Sequence, residues 1–185
     1  MIIINIILFI MVNIAFALRS IIIVGNTTPI IYSNVKSSKL TLEHVYPKSY
    51  MLKKHYNDMH NIYKCDKYIN NMRSNYKYCD EFNSTFVRLY DSDNFINTKL
   101  KLFIPDDYSK GLISRSIMHI CYEYKYDYNK IIDQYTLINW FYNYPPLKDE
   151  IYHNNIIFQK QKTRNIFIDL YNTNKIKKII FQYFN

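Results

Sequence analysis

Residues 43–78 read EHVYPKSYMLKKHYNDMHNIYKCDKYINNMRSNYKY, and the order of the parts decides the fold. Glu43 and His44 close an alternating run, Leu40-Thr41-Leu42-Glu43-His44-Val45, which has the period of a half-buried strand. Pro47 ends that strand, because proline cannot donate to a ladder. The basic stretch Lys48 to His55 is a connection, and Met59 to Tyr63 reads as a second short strand. A helix is expected over Asp66 to Asn75. Ile69, Met72 and Tyr76 recur at i, i+3, i+7 as its core face. Asp66, Asn70 and Arg73 recur at i, i+4, i+7 on a neighbouring face, free for a metal and a phosphate. A carboxylate, an imidazole and a carboxamide in one small unit can hold a divalent cation and activate a water beside it.

Adjacent strand residues point to opposite faces, so Glu43 and His44 reach one site only if the strand bends. Pro47 makes a bend plausible. A zinc site from His44, His55 and His60 is available on composition, but it lacks the close Cys or His spacing such sites use.

Working outward, Ile21 to Val24 and Ile30 to Tyr32 read as short extended runs separated by Gly-Asn-Thr-Thr-Pro. Asn83 to Phe103 is expected to be irregular, with a strand at Leu100 to Ile104. Beyond Pro105, a helix carries the apolar stripe Ile113, Ile117, Cys121 and Tyr124. Further helices are expected over Lys130 to Asn143, from near Leu147, and over Lys175 to Phe184. Asp149 and Glu150 sit in the first turn of the helix that follows Leu147, which suits its dipole.

With 185 residues the chain has the size of one domain with a proper core. Its net charge of +9 favours a polyanionic partner. The signal is discounted, because 20 tyrosines against two glycines suggest a codon bias toward A/T that also enriches lysine. Residues 1–17 carry no charged side chain and end in Ala15-Phe16-Ala17, which hold both alanines of the chain. That is the small-x-small pattern of a cleaved signal peptide, although the n-region lacks Lys and Arg. The competing reading is an uncleaved anchor. The sequons at Asn26 and Asn83 fit a secretory route. Cys65, Cys79 and Cys121 leave one cysteine unpaired. A fully helical path would hold Cys65 and Cys79 roughly 21 Å apart, so the connectivity stays open.

EHVYPKS, DMHN and INNMRSNY resemble the bacterial endonuclease I family of secreted or periplasmic nucleases, which carries the ββα-metal (His-Me finger) catalytic fold. FIPDDYSKGLISRSIMHICYEY resembles the family's F-x-P…KGDIARAxFYM segment. Trp140 falls at a family helix tryptophan, and KTRNIFID resembles the NRNPFID run. The resemblance covers roughly residues 40 to 170, in the family's order.

It implies an α+β fold, with a ββα-metal core at about 40–78 embedded in a mostly helical single domain, 18–185, whose helical half spans about 105–185. His44 matches the general base, Glu43 a metal ligand, and Asn70 the helix asparagine that completes the metal site. Arg73 and Arg115 match arginines expected to touch phosphate or hold the site. Arg164 and Asn165 match a positioning pair, and His60 is a candidate substrate contact. The family cuts DNA, and often RNA, with little sequence preference. It uses one Mg²⁺, in a site that Mn²⁺ or Ca²⁺ can also occupy, and leaves 5′-phosphate ends. A monomer is expected, secreted or periplasmic, with no stable membrane association once the signal is removed.

Three departures stand out. The short connection after His44 has no counterpart to the phosphate-clamping arginine of some relatives, although Lys48, Lys53 and Lys54 could partly substitute. Leu112 replaces an acid, and Ile166 replaces a proline. The alternative from another class is a secreted glycoprotein that keeps the fold and binds nucleic acid or a partner without cleaving it.

Overall fold

The computed structural model describes residues 28–32 and 39–184. The expected signal peptide 1–17, the expected extended run Ile21 to Val24 and Asn26 of the first sequon lie outside them. No helix among the described residues is long and apolar enough to cross a membrane.

The expected strand-strand-helix unit is present. Strand β1 (Ile30–Ile31), β2 (Leu40–His44) and β3 (Ile62–Asp66) form one sheet with β3 at its centre, parallel to β1 and antiparallel to β2. His44 stands opposite Ile62 and Glu43 opposite Tyr63. The second strand begins later than the sequence suggests. Met59–Asn61 is a 3₁₀ turn, capped by the Asp58 side chain, which accepts from the His60 amide. Helix α1 (Lys67–Arg73) follows β3 directly because Asp66 caps it, accepting from the amides of Tyr68 and Ile69. The helix ends earlier than expected, at Ser74 with φ 51°.

A second sheet fills the region expected to be irregular. Strands β4 (Lys77–Tyr78), β5 (Val87–Arg88), β6 (Phe95–Asn97) and β7 (Leu102–Ile104) pair in the order β4-β7-β6-β5. Asn83 is exposed beside it, and its side chain accepts from Thr85.

The rest is helical: α2 (Asp107–Tyr124), α3 (Gln134–Asn143), α4 (Lys148–Gln161), α5 (Ile166–Asp169) and α6 (Asn174–Phe184). Helix α2 starts earlier than its apolar stripe implies, capped by Asp106, and is buried all round from Ser109 to Cys121. Its small polar residues permit that burial while satisfying neighbours. Ser109 Oγ accepts from the Tyr32 amide at 2.8 Å, and Ser116 Oγ donates to the His60 carbonyl at 2.8 Å. Gly111 is required by close approach: a Cβ there would collide with the backbone of Tyr144 and lie 2.7 Å from Arg115 Nη2. With glycine so scarce, Lys125 and Lys162 take the left-handed positions that end α2 and α4. One apolar core joins both halves, running from Ile31, Val45 and Cys65 through Phe103 and Trp140 to Phe184. All three cysteines are unpaired.

Candidate active site

His44 stands at the last position of β2, half-buried, with Nε2 2.9 Å from the Tyr56 carbonyl oxygen. A carbonyl only accepts, so Nε2 carries the proton and Nδ1 keeps its lone pair. Burial, and then the positive charge of Lys48, push the imidazole down from 6.5 to about 4. The ring is therefore neutral over the pH range in which a base must accept a proton. Lys48, Lys53 and Lys54 are exposed on the two 3₁₀ turns that follow β2, Lys48–Tyr50 and Lys53–His55. The Lys48 ammonium also stands 5.6 Å from the ring centre of Tyr56, whose carbonyl holds His44.

The chain beyond His44 is fixed by Asn61. Its Oδ1 accepts from the Tyr46 amide at 2.7 Å and its Nδ2 donates to the Tyr46 carbonyl at 2.9 Å. Two polar groups on one buried carboxamide thus set where β2 ends.

Glu43 is buried, 3 % exposed, with Oε1 accepting from Arg73 Nη1 at 2.7 Å and from the Tyr32 hydroxyl at 3.1 Å. The Tyr32 and Tyr78 hydroxyls are hydrogen-bonded to each other. Burial lifts Glu43 from 4.5 to about 7, against the lowering pull of Arg73 and Tyr32. Arg73 also donates to the carbonyls of His44 at 3.2 Å and Val45 at 2.8 Å, and its guanidinium carbon lies 4.4 Å from the Tyr78 ring centre. One side chain thereby grips the carboxylate and the backbone on both sides of the strand end.

Asn70 is half-exposed, and its Nδ2 donates to the Leu42 carbonyl at 3.1 Å. That bond orients the carboxamide and leaves Oδ1 available as a donor. Glu43 Oε2, untouched by the guanidinium, and Asn70 Oδ1 are hard oxygens offered from β2 and α1, the kind of ligand atom that suits Mg²⁺.

The structure places the other expected residues as follows. Arg73 is fully buried, on the same side of α1 as Ile69, so of the two expected roles it takes that of holding Glu43, with no surface for a phosphate. Arg115 is also fully buried; it pairs with Glu150 through Nε at 2.7 Å and Nη2 at 2.6 Å and donates to the Tyr144 carbonyl. It ties α2 to α4. Glu150, expected only to suit a helix dipole, is its buried partner. Asn165 is buried and caps α5, accepting from the Phe167 amide and donating to the Arg115 carbonyl. Arg164 is half-exposed and paired with Asp169 at 2.6 Å. His60 is 2 % exposed, its ring 4.3 Å from that of His119, so it faces the interior and no substrate. His55 does not join it, stacking instead on Tyr124 and bonding the Tyr126 hydroxyl.

Among the described residues, one group of three His and carboxylate side chains could hold an ion. Asp58, His60 and His119 are all buried, with their ligand atoms within 4.8 Å of one another. Burial, and then neighbouring His119, push His60 down to about 3, whereas Asp58 is held well below the usual carboxylate range by His119, His60 and Gln161 against its burial. This set is mixed nitrogen and oxygen, unlike the two oxygens of Glu43 and Asn70.

Tyr32, Tyr78, Asp58 and His119 were not singled out by the sequence. Asp58 stands in the DMHN segment and could have been; His119 sits within an apolar helix run and offers no signal.

No curated protein sequence matches the chain. The family model for endonuclease I matches residues 20–171, most of the chain. That match and the α+β architecture agree with the motif order from EHVYPKS to KTRNIFID. The chain belongs to the endonuclease I family and is a nuclease, a hydrolase acting on nucleic acid, in a family that implies a divalent cation.

Proposed function

We propose that the protein hydrolyses phosphodiester bonds of DNA, with RNA as a further candidate substrate, without sequence preference, by a water that His44 deprotonates. The observation that carries this is the 2.9 Å contact of His44 Nε2 with the Tyr56 carbonyl. It fixes the tautomer, so that Nδ1 is the base and the imidazole need not reorient when the proton moves. Glu43 Oε2 and Asn70 Oδ1 would hold one Mg²⁺, with Mn²⁺ and Ca²⁺ as alternative occupants. When bound, the ion supplies positive charge to the scissile phosphate and the leaving oxygen. Arg73, Tyr32 and the Asn70–Leu42 bond keep the two ligands in place. Lys48, Lys53 and Lys54 supply exposed positive charge beside His44, which attracts backbone phosphates and reads no bases. Attack by water with departure of the 3′ oxygen leaves 5′-phosphate ends.

Purified protein should degrade plasmid, single-stranded DNA and RNA with Mg²⁺ and stop with chelator. Its products should be ligatable without prior kinase treatment. Asn70→Ala should need more Mg²⁺ for the same rate, and an unchanged Mg²⁺ requirement would remove Asn70 from the cation site. The uncharged segment ending at Ala15-Phe16-Ala17 supports secretion. N-terminal sequencing should find a start at Leu18, and an intact Met1 would favour an anchor.

A further inference from the structure

We propose that Asp58, His60 and His119 form a second, structural cation site, selective for a borderline-soft divalent ion such as Zn²⁺ and separate from the oxygen pair Glu43 and Asn70.

Two observations carry it. The first is geometric: ligand atoms of the three side chains lie within 4.8 Å of one another. A tetrahedral zinc shell sets them roughly 3.4 Å apart, so closing around an ion asks for small side-chain shifts only. The second is an unmet need among buried nitrogens. His60 Nε2 and His119 Nδ1 have no hydrogen-bond partner although both rings are 2 % exposed. The other nitrogen of His60 is hydrogen-bonded to the backbone of Thr163. That arrangement fixes the tautomer and turns a lone pair inward, as metal-bound imidazoles usually require. His119 Nε2 stands 3.4 Å from Asp58 Oδ2, too long for a strong hydrogen bond.

The carboxylate is likewise prepared. Asp58 Oδ1 accepts from the His60 amide and from Gln161 Nε2, each at 2.9 Å, and Oδ2 accepts from the Tyr124 hydroxyl at 2.7 Å. Outer partners of this kind orient first ligands. Two imidazoles and one carboxylate favour zinc over magnesium. Burial of all three leaves no face for a substrate, so the ion would be structural, with a water completing its four ligands. It would tie the Met59–Asn61 turn to α2, and that turn carries Asn61, the clamp on the backbone just past His44.

The test is metal content. Protein produced with zinc and dialysed into zinc-free Mg²⁺ buffer should retain one zinc per chain. Protein produced with Co²⁺ should show the visible absorption of tetrahedral cobalt. His119→Gln should lose both signals. If that variant does not fold, Tyr124→Phe, which keeps all three ligands, should weaken zinc retention roughly 10- to 100-fold against a chromophoric chelator. Glu43→Gln and Asn70→Ala should keep the zinc. A parent protein with neither zinc nor the cobalt band overturns the proposal. So does zinc retained undiminished in a folded His119→Gln or in Tyr124→Phe, or zinc lost with Glu43→Gln. None of these outcomes depends on nuclease activity.

Discussion

Arg73–Glu43 and Arg115–Glu150 are both fully buried arginine–carboxylate pairs, and they are built differently. Arg115 engages its partner in a fork, Nε to Oε1 at 2.7 Å and Nη2 to Oε2 at 2.6 Å, so both carboxylate oxygens are consumed. Arg73 touches only Oε1 of Glu43, bonds the carbonyls of His44, Val45 and Ser74 through Nη1 and Nη2, and leaves its buried Nε without a partner. A fork closes a carboxylate; a single contact orients it and leaves an oxygen for something else. Taking two charges out of water is costly in either case, so neither pair is explained by stability alone. The closed pair belongs to the scaffold between α2 and α4. The open pair belongs to the site.

Breaking the closed pair should give the largest effect. Glu150→Gln leaves Arg115 buried without a counter-charge and should cost about 3–5 kcal/mol of stability, read by chemical denaturation. Activity per folded molecule should stay near that of the parent. A folded Glu150→Gln protein with normal stability but lost activity would reverse the assignment of the two pairs.

Gly111→Ala presses on the same scaffold from the other side. Its Cβ would meet the Tyr144 backbone, which also accepts from Arg115 Nη1 at 2.6 Å. Overpacking of this kind should cost about 1–3 kcal/mol. A melting temperature equal to the parent's would show that α2 can move away from Tyr144 freely.

The open pair should respond in activity. Arg73→Lys keeps the charge but cannot span Glu43 Oε1 and two carbonyls at once. Activity should fall roughly 10- to 100-fold, as for partners that orient metal ligands, with part of the loss recovered at higher Mg²⁺. Full activity at ordinary Mg²⁺ would mean that Arg73 does not position Glu43.

His153 lies outside both pairs and gives the smallest effect. It is buried, both ring nitrogens lack partners, and burial followed by the charge of Lys64 lowers it from 6.5 to about 4. Between those values the unfolded chain binds the proton that the folded protein refuses. Its contribution to stability is therefore present above about pH 6.5 and is lost as pH falls toward 4. His153→Leu should flatten this acid limb of the stability–pH profile and leave stability near pH 7 close to the parent's. An unchanged acid limb would show that other groups set it.

The catalytic unit was legible because its signals are local. Alternation marks β2, proline marks its end, and Asp66, expected as the first residue of the helix, caps it from one position before. The second sheet was legible only at β7, within the strand expected over Leu100 to Ile104; β4 and β5 are two residues each and exist only through pairing with β7 and β6. Helical spacing grouped Arg73 with Asn70, but spacing cannot say whether a charged side chain meets water or a buried carboxylate. Glu150 read as a dipole partner for the same reason: its real partner is 35 positions away. Asn165 resembled a substrate contact and is a helix cap. The proposed base, His44, is oriented by a backbone carbonyl, at Tyr56, that no side-chain pattern reveals.

The central claim is that His44, held by that carbonyl, takes the proton from the attacking water. It is tested most directly by cleavage of supercoiled plasmid in Mg²⁺ by His44→Ala, with folding verified by circular dichroism. A correctly folded variant slowed roughly 10²- to 10⁴-fold is the predicted result. A correctly folded His44→Ala protein that cuts at the parent's rate would contradict the account.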